Sequence, residues 1–530
     1  MSLEFGLVAL DILASWVRMM LALGLSIVFA LAVGISAARS RRAESVILPL
    51  LDIFQSIPIL GFFPFVIFAL YGPPGSLLHN FVGANLAVII LIFTSMSWNI
   101  AFGVYESVRA IPQDYADLLN VSQASTWQRI KTLYIPASMS RIAYNTQISW
   151  AVGLFFLVAS EIISSGSTSI PVDYGIGVAV SQYAYPIFDY GNYVLLVVLL
   201  IVAVVLWRFL FLREFALWSE KYKMMEEPRE VHRDPIMRAY SWVSHRSISK
   251  LFLLTQGRGV TRFTSSISRF RKGLRYAVLI FVAGFLVLVA ATVASSGGAS
   301  LSNLPTLSQV VGAEGFVLYS LVVSFVRVWF VVALCIAIGL PMGIVISLNF
   351  KLYDTVSPIL EVISSIPAPI LLPAILLIPV IGKTPEAVAD IVILLSVFWY
   401  IVFNVMAGVR TLPADMKDLP NAYRVGRNSA WRNVYIPSAA TALVTGAITA
   451  VGGAWNALII AEYFQLDPTK PALSQVPNGI GKVITIATNK GDNFTLFLAV
   501  VSMTILIVTF NLTVWRRLYH HVTRRYTYNR

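Results

Sequence analysis

The chain has 530 residues, is 57% hydrophobic and only 12% charged, and has a mean hydropathy of +0.77. A water-soluble chain of that size carries about 25% charged residues, so a soluble globular protein is excluded. The net charge of +13 lies mostly in one linker and one tail, where membrane topology calls for Lys and Arg, so no nucleic-acid partner is expected.

Continuous apolar runs long enough to cross roughly 30 Å of hydrocarbon fall near 14–37, 47–71, 85–107, 138–163 and 192–212. The second half has runs near 275–296, 317–347, 356–380, 387–409, 438–463 and 493–514. They are uninterrupted rather than alternating, which predicts about eleven transmembrane helices and not the strands of a barrel. No basic stretch precedes the first run, so it is not expected to be a cleaved signal. The expected fold is an all-α polytopic membrane protein. It comprises a first repeat over 1–212, a basic linker over 213–274, a second repeat over 275–515 and a basic tail over 516–530. The single cysteine, Cys335, lies in an apolar run, and none of the five histidines has zinc-type spacing, so neither a disulfide nor a metal site is expected.

Orientation follows from the basic loops. Arg39, Arg41 and Arg42 follow the first run, and residues 213–274 hold 13 Lys and Arg against 6 Asp and Glu. The tail from 516 holds five Arg and no acid. An external N-terminus and a cytoplasmic C-terminus put all three inside.

The chain repeats itself. Residues 111–136 read IPQDYADLLNVSQASTWQRIKTLYIP, and 412–437 read LPADMKDLPNAYRVGRNSAWRNVYIP. An offset of 301 residues lays Pro112, Asp114, Asp117, Leu118 and Pro136 on Pro413, Asp415, Asp418, Leu419 and Pro437. Upstream, an offset of 309 lays Ser15, Arg18, Gly34 and Ser56-Ile57-Pro58 on Ser324, Arg327, Gly343 and Ser365-Ile366-Pro367. Glu161 matches Glu462 at 301 again. Both polar copies fall between apolar runs on the cytoplasmic side. Like-oriented halves of this kind have their axis along the membrane normal.

A cytoplasmic segment of this form resembles the "EAA" loop of inner-membrane permeases in binding-protein-dependent ABC importers. The family pattern is a Pro, then Glu-Ala-Ala, a Gly six residues after the Glu, and a closing Leu-Pro. Asp117-Leu118-Leu119 stands for Glu-Ala-Ala, Gln123, followed by Ala124, for the Gly, and Ile135-Pro136 for Leu-Pro. The second copy has Asp418-Leu419-Pro420 and Arg424 at those places, while Gly426 fits with a two-residue deletion. Ser-Ile-Pro at both places, Asn404 and Ala461-Glu462 are similar to the nitrate/sulfonate/taurine branch. The resemblance implies a fused type I-like permease without catalytic residues. It also implies two separate ATPase subunits that bind ATP and Mg, and an extracytoplasmic solute-binding protein. One loop would seat in each ATPase, and the transported solute would be a small oxyanion such as nitrate, a sulfonate or bicarbonate.

From the residues alone, a short interfacial helix of this kind can dock in a groove on a soluble partner. Asp117 and Asp418 are expected near helix N-termini, where an acid is favoured. Arg18 and Arg327, with Glu161 and Glu462, fall in the outer halves of their spans, where charge is costly and pairs or lines a wet path. Each Arg is expected to pair with a Glu, against the alternative of an Arg that snorkels to the surface. Asn99, Asn145, Gln147, Asn404, Trp455 and Asn456 are candidates to line a pore, against simple helix–helix hydrogen bonding. Gly452-Gly453 is expected to be a packing contact. Gly382-Lys383-Thr384 lacks the Gly that a phosphate loop needs at 377, so ATP hydrolysis is not expected in this chain. The competing function is a gradient-driven transporter of parallel repeats, which requires carboxylates near the midplane.

Overall fold

In a computed structural model the described residues are 4–56, 58–71, 81–165, 172–184, 189–222, 307–379, 384–410, 423–463, 477–490 and 492–515, with a few isolated positions between. The expected span at 275–296, most of the basic linker, and Gly382-Lys383 lie outside them. Among the described residues all regular structure is helical.

The first half contains α1 (Phe5–Arg39), α2 (Arg41–Ser56), α3 (Ile59–Tyr71), α4 (Phe81–Arg109) and α5 (Gln113–Val121). It continues with α6 (Thr126–Arg129), α7 (Ile135–Ser165), α8 (Ile176–Ala184), α9 (Tyr190–Trp207) and α10 (Arg213–Glu220). The second half has α11 (Leu307–Leu348), α12 (Phe350–Ser364), α13 (Ala368–Leu376) and α14 (Pro385–Arg410). Then follow α15 (Arg427–Ala430), α16 (Ile436–Tyr463), α17 (Ile480–Lys490) and α18 (Asn493–Phe510). Among the described residues, eight helices are long and apolar enough to cross a membrane.

Two of the eleven expected spans are not straight. The run at 356–380 is α12 and α13, bent by 78° at Ser365-Ile366-Pro367. The run at 47–71 divides into α2 and α3 at the matching Ser56-Ile57-Pro58. A proline disfavours the helical conformation in the residue before it and donates no amide hydrogen bond, which favours a break and a restart here. Both restarts begin with the same turn, Gly61 N–H to Pro58 O at 3.1 Å and Ile370 N–H to Pro367 O at 3.0 Å.

The breaks let the halves exchange elements. Past its break α3 packs on α16 and α17 of the second half, and α13 packs on α7 and α8 of the first. The amide of Leu60 donates to Asn456 Oδ1, and the Tyr193 hydroxyl donates to the Ile370 carbonyl at 2.6 Å. Gly61 lies so close to the other half that a Cβ there would meet Met503 Cε at 2.8 Å.

Within each half the order of packing is the same: α1 on α4 on α7, and α11 on α14 on α16. Lipid gives apolar helices no hydrophobic reason to associate, so close approach through small residues does that work. A Cβ on Gly34 would sit 2.8 Å from Ala101 O and Val104 Cβ, and one on Gly343 would sit 2.8 Å from Val405 Cγ1. Opposite faces are left apolar and exposed. Leu10, Leu13, Val17, Leu21 and Leu25 on α1 match Tyr319, Val322, Val326, Phe330 and Leu334 on α11, as lipid-facing stripes do.

Helix ends differ from expectation in two places. Short helices α8 and α17 follow the loops that come after Glu161 and Glu462, where no helix was expected. The boundary expected at 212/213 falls inside a helix that runs continuously from Tyr190 to Ser219.

Candidate functional site

In the first copy the repeated loop is a helix, a left-handed turn and a second helix, and the turn and second helix recur in the second copy. In the first copy α5 starts at Gln113, so Asp114 is in its first turn, and Asp117 lies one turn further on than expected. Both carboxylates are exposed. Pro112 precedes the helix and its carbonyl accepts from Tyr115 N–H. Leu118 lies on α5, and its side chain is outside the described positions. Gln123 then takes φ 51°, and Arg424 takes φ 50° at the 301 offset. These left-handed residues stand where the family pattern has its glycine. The turns share a bond, Ala124 N–H to Leu119 O at 3.1 Å and Val425 N–H to Pro420 O at 2.8 Å.

The positive φ at Arg424 favours strict register over the deletion that would make Gly426 the glycine equivalent. Gly426 corresponds to Ser125, the residue that caps α6 through a reciprocal pair of bonds with Gln128. Pro413, Asp415, Asp418 and Leu419 lie outside the described residues.

From the caps the chain passes into the long helices without a stop. Five-residue π-turns, Ile130–Tyr134 and Trp431–Tyr435, join α6 to α7 and α15 to α16. Ile135 N–H reaches Ile130 O, and Ile436 N–H reaches Trp431 O. Pro136 and Pro437 follow at once. A proline inside a helix lacks a donor and collides with the carbonyl four residues back, and the wider turn relieves both faults. The loop's second helix and the membrane helix are thus one rigid lever.

At the other end of the long helices the four predicted charges are paired. Arg18 Nη1 meets Glu161 Oε1 at 2.5 Å, and Arg327 Nη1 meets Glu462 Oε1. Much of the surroundings repeats. Ser15 and Ser324 donate to the two carboxylates, and the amides of Gly177 and Gly481 donate to them at 2.8 Å. The amides of Ile176 and Ile480 donate back to the serines at 2.9 and 2.8 Å. The arginines donate to the carbonyls of Tyr174 and Asn478. These bonds hold the start of α8 or α17 against its half, and none of the four charges reaches the central cavity.

One asymmetry stands out. Arg18 Nε donates to Asn85 Oδ1 at 2.7 Å, whereas Arg327 faces Glu386, the residue at the equivalent position, and Asp390. Sequence reasoning missed these partners and both short helices. The repeated Gly-Ile-Gly at 175–177 and 479–481 was the signal for the helices.

Between the halves is a cavity of about 790 Å³. All six predicted polar residues line it: Asn99, Asn145, Gln147, Asn404, Trp455 and Asn456. On α7 its wall runs from Arg141 to Phe156, and on α16 from Thr445 to Asn456. It therefore covers the middle of these two helices and stops short of the Arg–Glu clusters. The rest of the wall is rich in aromatic rings, including Trp98, Trp329, Tyr353, Trp399 and Phe403. Gly452 faces this space with nothing within 4 Å, so only Gly453 is a packing glycine, 3.0 Å from Tyr400 Cε2 by its Cβ direction. Among the described lining residues the charged ones are Arg141, Arg208 and Glu361. Arg208 pairs with Glu361 across the two halves.

Comparison with known proteins adds to this geometry. Residues 30–215 and 336–528 each match the family described as "Binding-protein-dependent transport system inner membrane component". The nitrate import permease protein NrtB of Leptolyngbya laminosa is 26% identical over 163 residues, 31% of this chain and 54% of that protein. The bicarbonate transport system permease protein CmpB of Synechococcus elongatus is 28% identical over 151 residues, 28% of this chain and 53% of that protein. The chain thus spans about half the length of these curated relatives. The trimethylamine N-oxide transport system permease protein TmoV of Ruegeria pomeroyi is 22% identical over 538 aligned positions, 93% of this chain and 74% of that protein.

Proposed function

The chain belongs to the family of binding-protein-dependent transport system inner membrane components, and from that premise we propose that it is the fused permease of an ABC importer. Its two halves, 1–212 and 275–515, are like-oriented about an axis along the membrane normal and joined by a cytoplasmic linker over 213–274. The N-terminus is outside, and the tail from 516 is inside. Two ATPase subunits bind ATP and Mg beneath it, and a solute-binding protein docks outside. The solute is a small oxyanion, in keeping with the nitrate and bicarbonate named for the relatives.

The observation that carries this reading is the duplicated left-handed turn and π-turn, in register at an offset of 301 residues. Pro112, Asp114, Asp117, Leu118, Gln123, Ala124 and Pro136 form one seat for an ATPase. Pro413, Asp415, Asp418, Leu419, Arg424, Gly426 and Pro437 form the other. When the ATPases close on ATP, each lever carries the push into α7 or α16. The cavity then lies on the cytoplasmic side of the Arg–Glu clusters, which close the outer end. ATP binding favours the outward-open arrangement only by its different affinity for the two states.

Co-purification with the cognate ATPase tests this. Wild type should retain the ATPase, and Asp117→Lys with Asp418→Lys should lose it. Full retention in the double variant removes these acids from the joint.

A further inference from the structure

We propose that Arg208 is the anion-binding residue of the central cavity, and that Glu361 occupies its site between substrates. The proposal rests on the permease reading above and names the chemistry of its pathway. Arg208 begins a π-turn, Arg208–Leu212, at the end of α9, and its guanidinium lines the cavity. Its carboxylate partner comes from α12 of the other half. The pair is partly open to solvent, with Arg208 26% and Glu361 35% exposed, so it can part without stranding a buried charge.

A carboxylate is planar and presents two oxygens to the guanidinium fork. A planar oxyanion or a sulfonate presents the same pair. Glu361 therefore fills the place that such a solute takes. When displaced, its carboxylate keeps the Ser357 hydroxyl, which donates to it at 3.2 Å. Arg141 is the other cation in the wall. Its own partner Glu106 is 3.9 Å away, and both side chains are more than half exposed. With Glu106 beside Arg141, Arg208 is the cation of the described wall that an anion meets once Glu361 leaves it.

Both arginines belong to the first half. The 301 offset puts Ala442 opposite Arg141, and the second π-turn, Asn511–Trp515, puts Asn511 opposite Arg208. The cavity accordingly holds one anion, off the pseudo-symmetry axis. Because Arg208 and Glu361 come from different halves, an anion that takes Arg208 also breaks a tie between them.

Five of the tryptophans (Trp98, Trp329, Trp399, Trp455 and Trp515) line the cavity, which gives a direct reading. Iodide is titrated against the tryptophan fluorescence of the full chain in lipid nanodiscs, with nitrate and methanesulfonate as competitors. Neutral acrylamide reports access. Wild type should show a saturable iodide component that both competitors displace. Glu361→Gln should lower its half-saturation by about fivefold, the hold of a partly exposed ion pair. Arg208→Gln should lose saturation, with acrylamide quenching unchanged. If Arg208→Gln does not fold, Glu361→Gln decides alone. Weaker iodide binding in Glu361→Gln, or saturation that survives Arg208→Gln, overturns the site. Saturable quenching without ATP-driven uptake would remove the importer reading and leave the anion site standing.

Discussion

Asn145 and Asn404 donate to the same carbonyl position of their respective halves, from opposite helices. Asn145 Nδ2 on α7 reaches Asn99 O on α4 at 2.9 Å, and Asn404 Nδ2 on α14 reaches Tyr400 O at 2.8 Å. Asn99 and Tyr400 correspond at the 301 offset. Each asparagine faces a glycine where the other half has its asparagine: Asn145 lies against Gly103, and Asn404 against Gly446. The pair keeps its volume while the amide changes sides.

That exchange predicts a rescue. Gly103→Asn alone sets two asparagines in one gap and should cost about 1–3 kcal/mol through overpacking. Adding Asn145→Gly recreates the second half's arrangement and should restore most of the loss in thermal unfolding of the purified chain. Additive losses would show that the gap is not shared.

The buried ion pairs differ in how well they survive loss of the glutamate. Glu161→Ala leaves Arg18 hydrogen-bonded to Asn85 and one carbonyl, with the Asp11 carboxylate near it, and should cost about 3–5 kcal/mol. Arg327 keeps Glu386 and Asp390, so Glu462→Ala should cost less. Replacing the whole first pair by Arg18→Met with Glu161→Leu should recover most of the loss. Equal melting shifts for the two alanine variants would refute the asymmetry.

The left-handed residues give a local test. Gln123→Gly and Arg424→Gly should each stabilise their turn by about 1 kcal/mol, because a side chain is strained at that φ. Ser125→Ala should cost about 1 kcal/mol by removing the cap. Hydrogen exchange across 119–129 and 420–430 reads all three. Faster exchange in Arg424→Gly would return the glycine role to Gly426.

Neighbouring glycines should separate transport from stability. Gly452→Leu projects into the cavity and should lower solute uptake with little change in melting temperature. Gly453→Leu meets Tyr400 and should destabilise by about 1–3 kcal/mol. Normal uptake in a well-folded Gly452→Leu protein would mean that the cavity is off the pathway.

Composition and apolar runs made the membrane class legible, and the constant offsets exposed the duplication. They also brought Arg18 to Glu161, because costly charges at one depth need a partner. The breaks at Pro58 and Pro367 were written in Ser-Ile-Pro, yet a hydropathy window averages across a break and reads one span. Strict register and a short deletion fit the letters around Gly426 equally well, and the backbone angle at Arg424 favours strict register. Arg208 and Glu361 could not be matched from sequence, since they come from different halves at positions the repeat does not pair.

The most direct test places the two loops relative to the membrane and the ATPase. In a Cys335→Ser background, Tyr115→Cys and Tyr423→Cys put single thiols on exposed loop positions, 43% and 75% accessible in the wild-type residues. Both should react in intact cells with a membrane-permeant maleimide and not with an impermeant one, and the ATPase should shield both in inverted vesicles. Labelling of either thiol by the impermeant reagent in intact cells, or no shielding at either, would contradict a permease driven through these loops.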